Sequence, residues 1–157
     1  PDLKQVYRPF GFLEFQPLIP KKCGGEAVRE IFEIAHRFGC QSLLCGVKAH
    51  RADDYMLSYS GDSYSMGIDI QVRGRDMERV GKFAETLFQF IEHCGGKTFL
   101  AKDEMLSRDL FQKMYPRYKE FLKVKRQLDP DELFASDMYR RLMQAENDSS
   151  QTFAKVS

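Results

Sequence analysis

Apolar and polar residues alternate with period two over three stretches of this chain and recur at helical spacing over two more. Phe10–Ile19 is aromatic and strand-like, with Leu13, Phe15 and Ile19 on one face and Phe12, Glu14 and Gln16 on the other. Gln41–His50 sets Leu43, Cys45, Val47 and Ala49 against Ser42, Leu44, Gly46, Lys48 and His50. Tyr64–Arg73 alternates most clearly, with Tyr64, Met66, Ile68, Ile70 and Val72 opposite Ser65, Gly67, Asp69, Gln71 and Arg73. Between the first two stretches, Glu26–Phe38 carries Val28, Ile31, Phe32, Ala35 and Phe38 on one helical stripe, and Gly39 closes it. A second helix is predicted from a cap at Asp76 to Cys94, with the stripe Met77, Val80, Ala84, Leu87, Ile91 and Cys94, ended by Gly95-Gly96.

A short strand over Lys97–Ala101 follows, placing Lys102 at its mouth. Helical segments are expected near Glu104–Met114, Pro116–Gln127 and Asp131–Gln144. Arg51–Ser63 is polar, tyrosine-rich and aperiodic, and reads as a loop. Strand, helix, strand, strand, helix, strand is the order of a ferredoxin-like split βαβ unit. The predicted fold class is therefore α+β: an antiparallel sheet, helices on one face, and a C-terminal helical extension. The opposite face presents Glu14, Gln16, Lys48, Ser65, Asp69 and Gln71.

Composition narrows the classes. The 157 residues carry a net charge of +1 and are 43% hydrophobic, which suits a globular domain and gives no electrostatic reason to expect nucleic acid. Basic residues cluster in Arg117–Arg126, but Glu120 and Asp129 break the run into a solvated helix face. No apolar run approaches a membrane span. Cys23, Cys40, Cys45 and Cys94 lack metal-ligand spacing and read as buried free thiols in a reducing compartment; with His36, His50 and His93 scattered, no metal site is expected. The chain begins at Pro1, and reads as part of a longer protein.

Two readings of the polar sheet face stand side by side. One face of an antiparallel sheet is commonly solvated. Against that, Phe12 and Leu44 lie among its hydrogen-bonding residues, as on a pocket floor, and Gly67 sits mid-strand where a ligand or backbone can approach. Lys102 alone reads as a solvated lysine in a weak exposed pair with Asp103, and Tyr115 and Arg117 as packing and surface residues. Glu14 and Asp69 lie on different strands, with no separation fixed for acid–base work. Glycine-rich nucleotide loops and the GxSxG elbow are missing from the sequence.

Four segments add a further signal: GGKTFLAKD (Gly95–Asp103), MYPR (Met114–Arg117), LDP (Leu128–Pro130) and FASDMYRRL (Phe134–Leu142). In that order they resemble the C-terminal end of the decaprenylphosphoryl-β-D-ribose oxidase family, relatives of the aldonolactone oxidases within the vanillyl-alcohol-oxidase flavoprotein superfamily. GFLEFQPLIP (Gly11–Pro20), LLCGVK (Leu43–Lys48) and LSYSGDSYSMGIDI (Leu57–Ile70) resemble that family more loosely, and the likeness runs from about Tyr7 to Leu142.

The resemblance implies an FAD-dependent oxidoreductase that oxidises a sugar or related secondary alcohol by hydride transfer to flavin. Lys102 matches a lysine beside flavin and substrate, which assigns it catalytic and cofactor-binding roles. Phe99 falls where a flavin-side tyrosine lies. Gln16, Lys48, Ser65 and Gly67 match substrate-pocket positions, and Glu14 stands where that family has a glutamine. Ser65 and Gly67 replace an asparagine and a cysteine. The implied organisation is a substrate (cap) domain over residues 1–96, a segment 97–145 returning to an FAD-binding domain outside this chain, and a tail over 146–157.

Further expectations are a cytoplasmic protein, or a membrane-associated one at full length, and a homodimer formed through the open sheet. The alternative is a stand-alone ferredoxin-like module for ligand binding or dimerisation, without catalysis.

Overall fold

A computed structural model describes residue 5 and residues 8–42 and 44–144, with the Arg75 side chain left aside. Leu43, Tyr7 and the predicted tail fall outside the described residues. The elements are β1 (Gly11–Phe15), β2 (Pro17–Pro20), α1 (Gly24–Arg37), β3 (Cys45–His50), β4 (Ser63–Val72), α2 (Met77–His93), β5 (Lys97–Thr98), α3 (Arg108–Met114), α4 (Tyr118–Leu128) and α5 (Asp137–Leu142). They form an α+β fold on one five-stranded antiparallel sheet.

Strand β4 is central. It pairs with β1 and β2 along one side and with β3 along the other, while β5 joins the outer side of β2. The first predicted strand is thus two strands, interrupted at Gln16. Pro17 has no N–H to donate, so the ladder lapses there. The register survives the gap: Phe15 lies opposite Ile68 and Leu18 opposite Ser65. The Gln16 carbonyl accepts instead from Phe99 N at 3.0 Å and from the Tyr59 hydroxyl at 2.9 Å.

Helices α1 and α2 cover one sheet face. Ala27, Ile31, Ile34 and Ala35 of α1 and Val80, Phe83, Leu87 and Ile91 of α2 meet Phe15, Ile19, Met66, Ile68 and Ile70 in one core. Phe15 packs edge-on to Phe83, with centroids 5.2 Å apart. Two expected stripe residues, Phe32 and Met77, are exposed at the stripe margins, and Ile34 and Phe88 are buried in the same two helices. Asp76 precedes α2 but gives no side-chain cap; its carboxylate pairs with Arg79 at 3.5 Å.

Strand β3 departs furthest from expectation. It begins only at Cys45, and Val47, predicted to face the core, is 61% exposed. An edge strand paired on one side only lies beyond the helices' cover. Of the four thiols only Cys40 is buried: Cys45 is exposed, and Cys23 and Cys94 are half-buried.

Strand β5 has two residues, and Lys102 closes a tight 3-10 turn over Leu100–Lys102 rather than ending a strand. Beyond it, α3 and α5 are capped by Ser107 and Ser136, whose hydroxyls accept from Leu110 N and Tyr139 N. Their buried residues Phe111, Met114, Tyr139 and Leu142, with Leu106 just ahead of α3, join the same core as the sheet. No helix among the described residues is long and apolar enough to cross a membrane.

Candidate functional site

The sheet face away from α1 and α2 is only partly open. The 51–62 loop folds over one end of it, held by three contacts. Tyr59 donates to the Gln16 carbonyl, Lys97 Nζ donates to the Ser58 carbonyl at 2.9 Å, and Arg117 donates to the Asp54 carbonyl. Beneath this roof Leu18, on the polar face by alternation, is buried outside the main core, and Ser65 is 1% exposed. Ser65 keeps a hydrogen-bond partner there, His50 Nε2 at 2.8 Å. The Tyr59 ring lies against His50 and, at 4.8 Å, against Phe99. Burial pushes the Tyr59 hydroxyl well above the ordinary tyrosine range, and burial lowers the Lys97 ammonium.

The uncovered end is concave. A depression of about 150 Å³ is lined by Glu14, Gln16, Leu44, Gly46, Lys48, Ser65, Gly67 and Asp69. All five residues anticipated as substrate contacts (Glu14, Gln16, Lys48, Ser65 and Gly67) therefore meet on one surface, from β1, β3 and β4 and the break between β1 and β2. Strand pairing explains the meeting: Glu14 lies opposite Asp69, and Lys48 opposite Ser65. Small residues at Gly46 and Gly67, themselves paired in register, leave the floor low.

Lys102 reaches the same surface from the turn after β5, where its ammonium pairs with the Glu14 carboxylate. The expected pair with Asp103 does not form. The Asp103 side chain is buried, accepts from Met105 N and Leu106 N, and is bridged by Arg141 at 2.8 Å. Neither Lys102 nor Phe99 is among the residues lining the depression: Lys102 is joined to it through Glu14, while Phe99 packs on Tyr59.

Tyr115 and Arg117 flank the exposed Pro116 and point to different partners. Tyr115 is buried and donates to the Thr98 carbonyl at 2.6 Å, and Arg117 grips Glu120 and the roof loop. His50 and Tyr59 were missed by pattern reasoning. His50 ends β3 on the face that alternation made polar, and for Tyr59 the tyrosine-rich composition of its loop was the one signal available. Among the described residues no group of three or more His, Cys, Asp or Glu side chains is placed to hold a metal.

The fold and this hydroxyl-, amide- and charge-lined depression define an α+β domain with a small polar hollow on its sheet. The chain belongs to the D-arabinono-1,4-lactone oxidase family, whose model matches residues 5–142. It is 31% identical to the decaprenylphosphoryl-beta-D-ribose oxidase of Mycolicibacterium smegmatis over 142 residues, 90% of this chain and 30% of that protein. It is 24% identical to an L-gulono-1,4-lactone dehydrogenase of Mycobacterium tuberculosis over 87% of this chain and 32% of the relative. To the L-gulonolactone oxidase of Scyliorhinus torazame it is 34% identical over 95 residues, 58% of this chain and 21% of that protein. The chain thus spans about a third or less of the length of these curated relatives.

Proposed function

We propose that this chain is the substrate-domain part of an FAD-dependent oxidoreductase that oxidises a sugar, sugar lactone or related secondary alcohol. The observation that carries the reading is the convergence of Glu14, Gln16, Lys48, Ser65 and Gly67 on one depression, with Lys102 at its edge. Carboxylate, amide, ammonium and hydroxyl groups on one surface match the donors and acceptors of a polyhydroxylated ligand.

The depression is too small for a flavin: sites that enclose ligands of drug size measure roughly 300 Å³ or more. The residues fit one wall of a shared site, with FAD held mainly by a domain outside this chain. FAD, when bound, supplies the acceptor for the substrate hydride. Lys48 and Gln16 hold substrate hydroxyls, and the Ser65 hydroxyl is kept in place by His50. Lys102 contributes a fixed positive charge near the flavin edge that gathers electron density on reduction.

The domain division follows the same reading. Residues 1–96, read as a ferredoxin-like cap, carry the substrate surface, and 97–145 return to the cofactor domain. Leu128, Leu133 and Phe134 are 81%, 78% and 82% exposed, an apolar surface that such a domain would cover.

The test is anaerobic reduction of the flavin-loaded full-length protein by D-arabinono-1,4-lactone, L-gulono-1,4-lactone and simple sugar alcohols. Bleaching of the oxidised flavin band by one of them is expected, slowed at least about tenfold by Lys102→Ala. A full-length protein that binds no flavin, or whose flavin no such compound reduces, overturns the reading. An unchanged reduction rate in the variant removes Lys102 from its role.

A further inference from the structure

Cys23 and Cys94 are 71 residues apart in sequence and adjoin in the fold. Cys23 closes the short turn Lys21–Cys23 ahead of α1, and Cys94 follows the last residue of α2. The Cys23 thiol donates to the Cys94 carbonyl, with sulfur and oxygen 3.5 Å apart. The side chains lie within each other's electrostatic reach: Cys23 is among the groups that hold the proton on the Cys94 thiol. Both residues pack against the main core on one side. On the other they line a groove between the ends of α1 and α2, together with Lys22, Glu26, Phe90 and His93.

The groove measures about 570 Å³, and through it a small oxidant reaches both half-buried sulfurs. Among the described residues no third His, Cys, Asp or Glu completes a metal-binding group with them. The chemistry that two neighbouring thiols share is oxidation to a disulfide. Cys23 and Cys94 both sit at the ends of helices, where torsions can bring the sulfurs into disulfide geometry without unwinding a helix.

We propose that Cys23 and Cys94 form an oxidisable dithiol site, which hydrogen peroxide converts into a disulfide clamping the start of α1 to the end of α2. The Cys94 thiol holds its proton up to about 11, so the first attack falls to Cys23. The Cys23 sulfur attacks one peroxide oxygen and breaks the O–O bond, giving a sulfenic acid and one water. The Cys94 sulfur then displaces the hydroxyl from the Cys23 sulfur, and its proton leaves with that hydroxyl as a second water. Two thiols lose two hydrogens and two electrons, and the peroxide takes up both. The site goes beyond the proposed sugar oxidation and does not depend on it, since α1 and α2 cover the sheet face away from the polar depression.

The experiment treats the reduced 157-residue chain, freed of reductant, with a small excess of hydrogen peroxide. Cys45→Ser is carried throughout, so that this exposed thiol links no two copies. The chain is then alkylated under denaturing conditions and digested without reductant. Mass spectrometry is expected to find the Cys23 and Cys94 peptides joined, two hydrogens lighter than their sum, with Cys40 alkylated. The bond closes a long loop of the unfolded chain, so the thermal midpoint should rise by at least about 5 °C and return with dithiothreitol. Cys23→Ser and Cys94→Ser should each lose both the link and the rise.

Recovery of Cys23 and Cys94 as alkylated thiols, or as sulfinic acids without a link, overturns the proposal. So does a bond from either to Cys40, or a midpoint that does not rise when the pair is joined. The link is read in the chain that keeps both thiols, so a serine variant that folds poorly does not decide the result. Each of these outcomes leaves flavin reduction by sugar lactones untouched.

Discussion

Arg141 on α5 donates to the buried carboxylate of Asp103, 38 residues earlier, at 2.8 Å. The same guanidinium also donates to the backbone carbonyls of Asp103 and Leu106. The turn that carries Lys102 is thereby fastened to the last helix. Two short sequence pieces, Ala101-Lys102-Asp103 and the Arg140-Arg141-Leu142 end of α5, are halves of one contact.

Removing either half leaves a buried charge or several carbonyls without a partner. Asp103→Ala and Arg141→Met are each expected to lower stability by about 3 kcal/mol. Urea denaturation of the variants checks this. A loss below about 1 kcal/mol in both would mean that the helices hold the turn without the bridge.

Gly96 lies where β5 leaves α2. A β-carbon there would collide with the Leu18 carbonyl oxygen and stand 3.0 Å from the Ile91 carbonyl oxygen. Both neighbours are backbone and cannot step aside. Gly96→Ala is expected to cost about 1–3 kcal/mol by overpacking, read as a lower denaturation midpoint. Gly25, with nothing within 4 Å of the corresponding position, serves as the control, and Gly25→Ala should show no comparable loss.

The Tyr115 hydroxyl is the donor to the Thr98 carbonyl, in a setting where both residues are buried. Tyr115→Phe keeps the ring, which stacks on Phe111, but leaves that carbonyl short of a donor. A loss of about 1–2 kcal/mol is expected. Hydrogen exchange should quicken at Thr98 and Phe99 more than in α1, because the defect lies beside β5.

Burial, with Cys23 alongside, pushes the Cys94 thiol up to about 11 from an ordinary value of 9.0. Between those two values the unfolded chain has released this proton while the folded one still holds it. Folding stability should therefore fall as pH rises through that window. The check is the difference between the unaltered chain and Cys94→Ser over the same range, since lysines and tyrosines titrate there too. Parallel stability curves for the two proteins would show that Cys94 contributes nothing to the decline.

Periodicity in the sequence was sufficient for α1, α2 and β4 because each buries one continuous face against the others, and burial leaves its mark at every second or every third to fourth residue. The Gly39 and Gly95 helix ends were legible for a similar reason: both adopt positive φ, 61° and 72°, where glycine carries no steric penalty. Val47 misled because alternation reports which residues share a face, not whether anything covers that face. The lapse at Gln16 was written in Pro17, whose missing donor interrupts a strand that the hydrophobic pattern alone runs straight through.

Much of the candidate surface was also readable. Glu14, Gln16, Lys48, Ser65 and Gly67 share one sheet face by alternation, and strand pairing brings them together in register. Lys102 was legible as a residue to watch, but its partner was not. A local reading paired it with Asp103, the adjacent residue in the chain. The fold instead turns Asp103 inward to Arg141 and Lys102 across the sheet to Glu14.

The amino-acid order by itself determined the class of fold, the apolar faces and the set of polar residues on the open side of the sheet. These follow from local periodicity and hydrogen-bonding capacity, which need no knowledge of distant contacts. Only the tertiary structure decided which charges meet, that the 51–62 loop roofs one end of the polar face through Tyr59, and that the other end stays concave. Those outcomes depend on side chains far apart in sequence competing for one another in three dimensions, and a linear pattern carries no record of that competition.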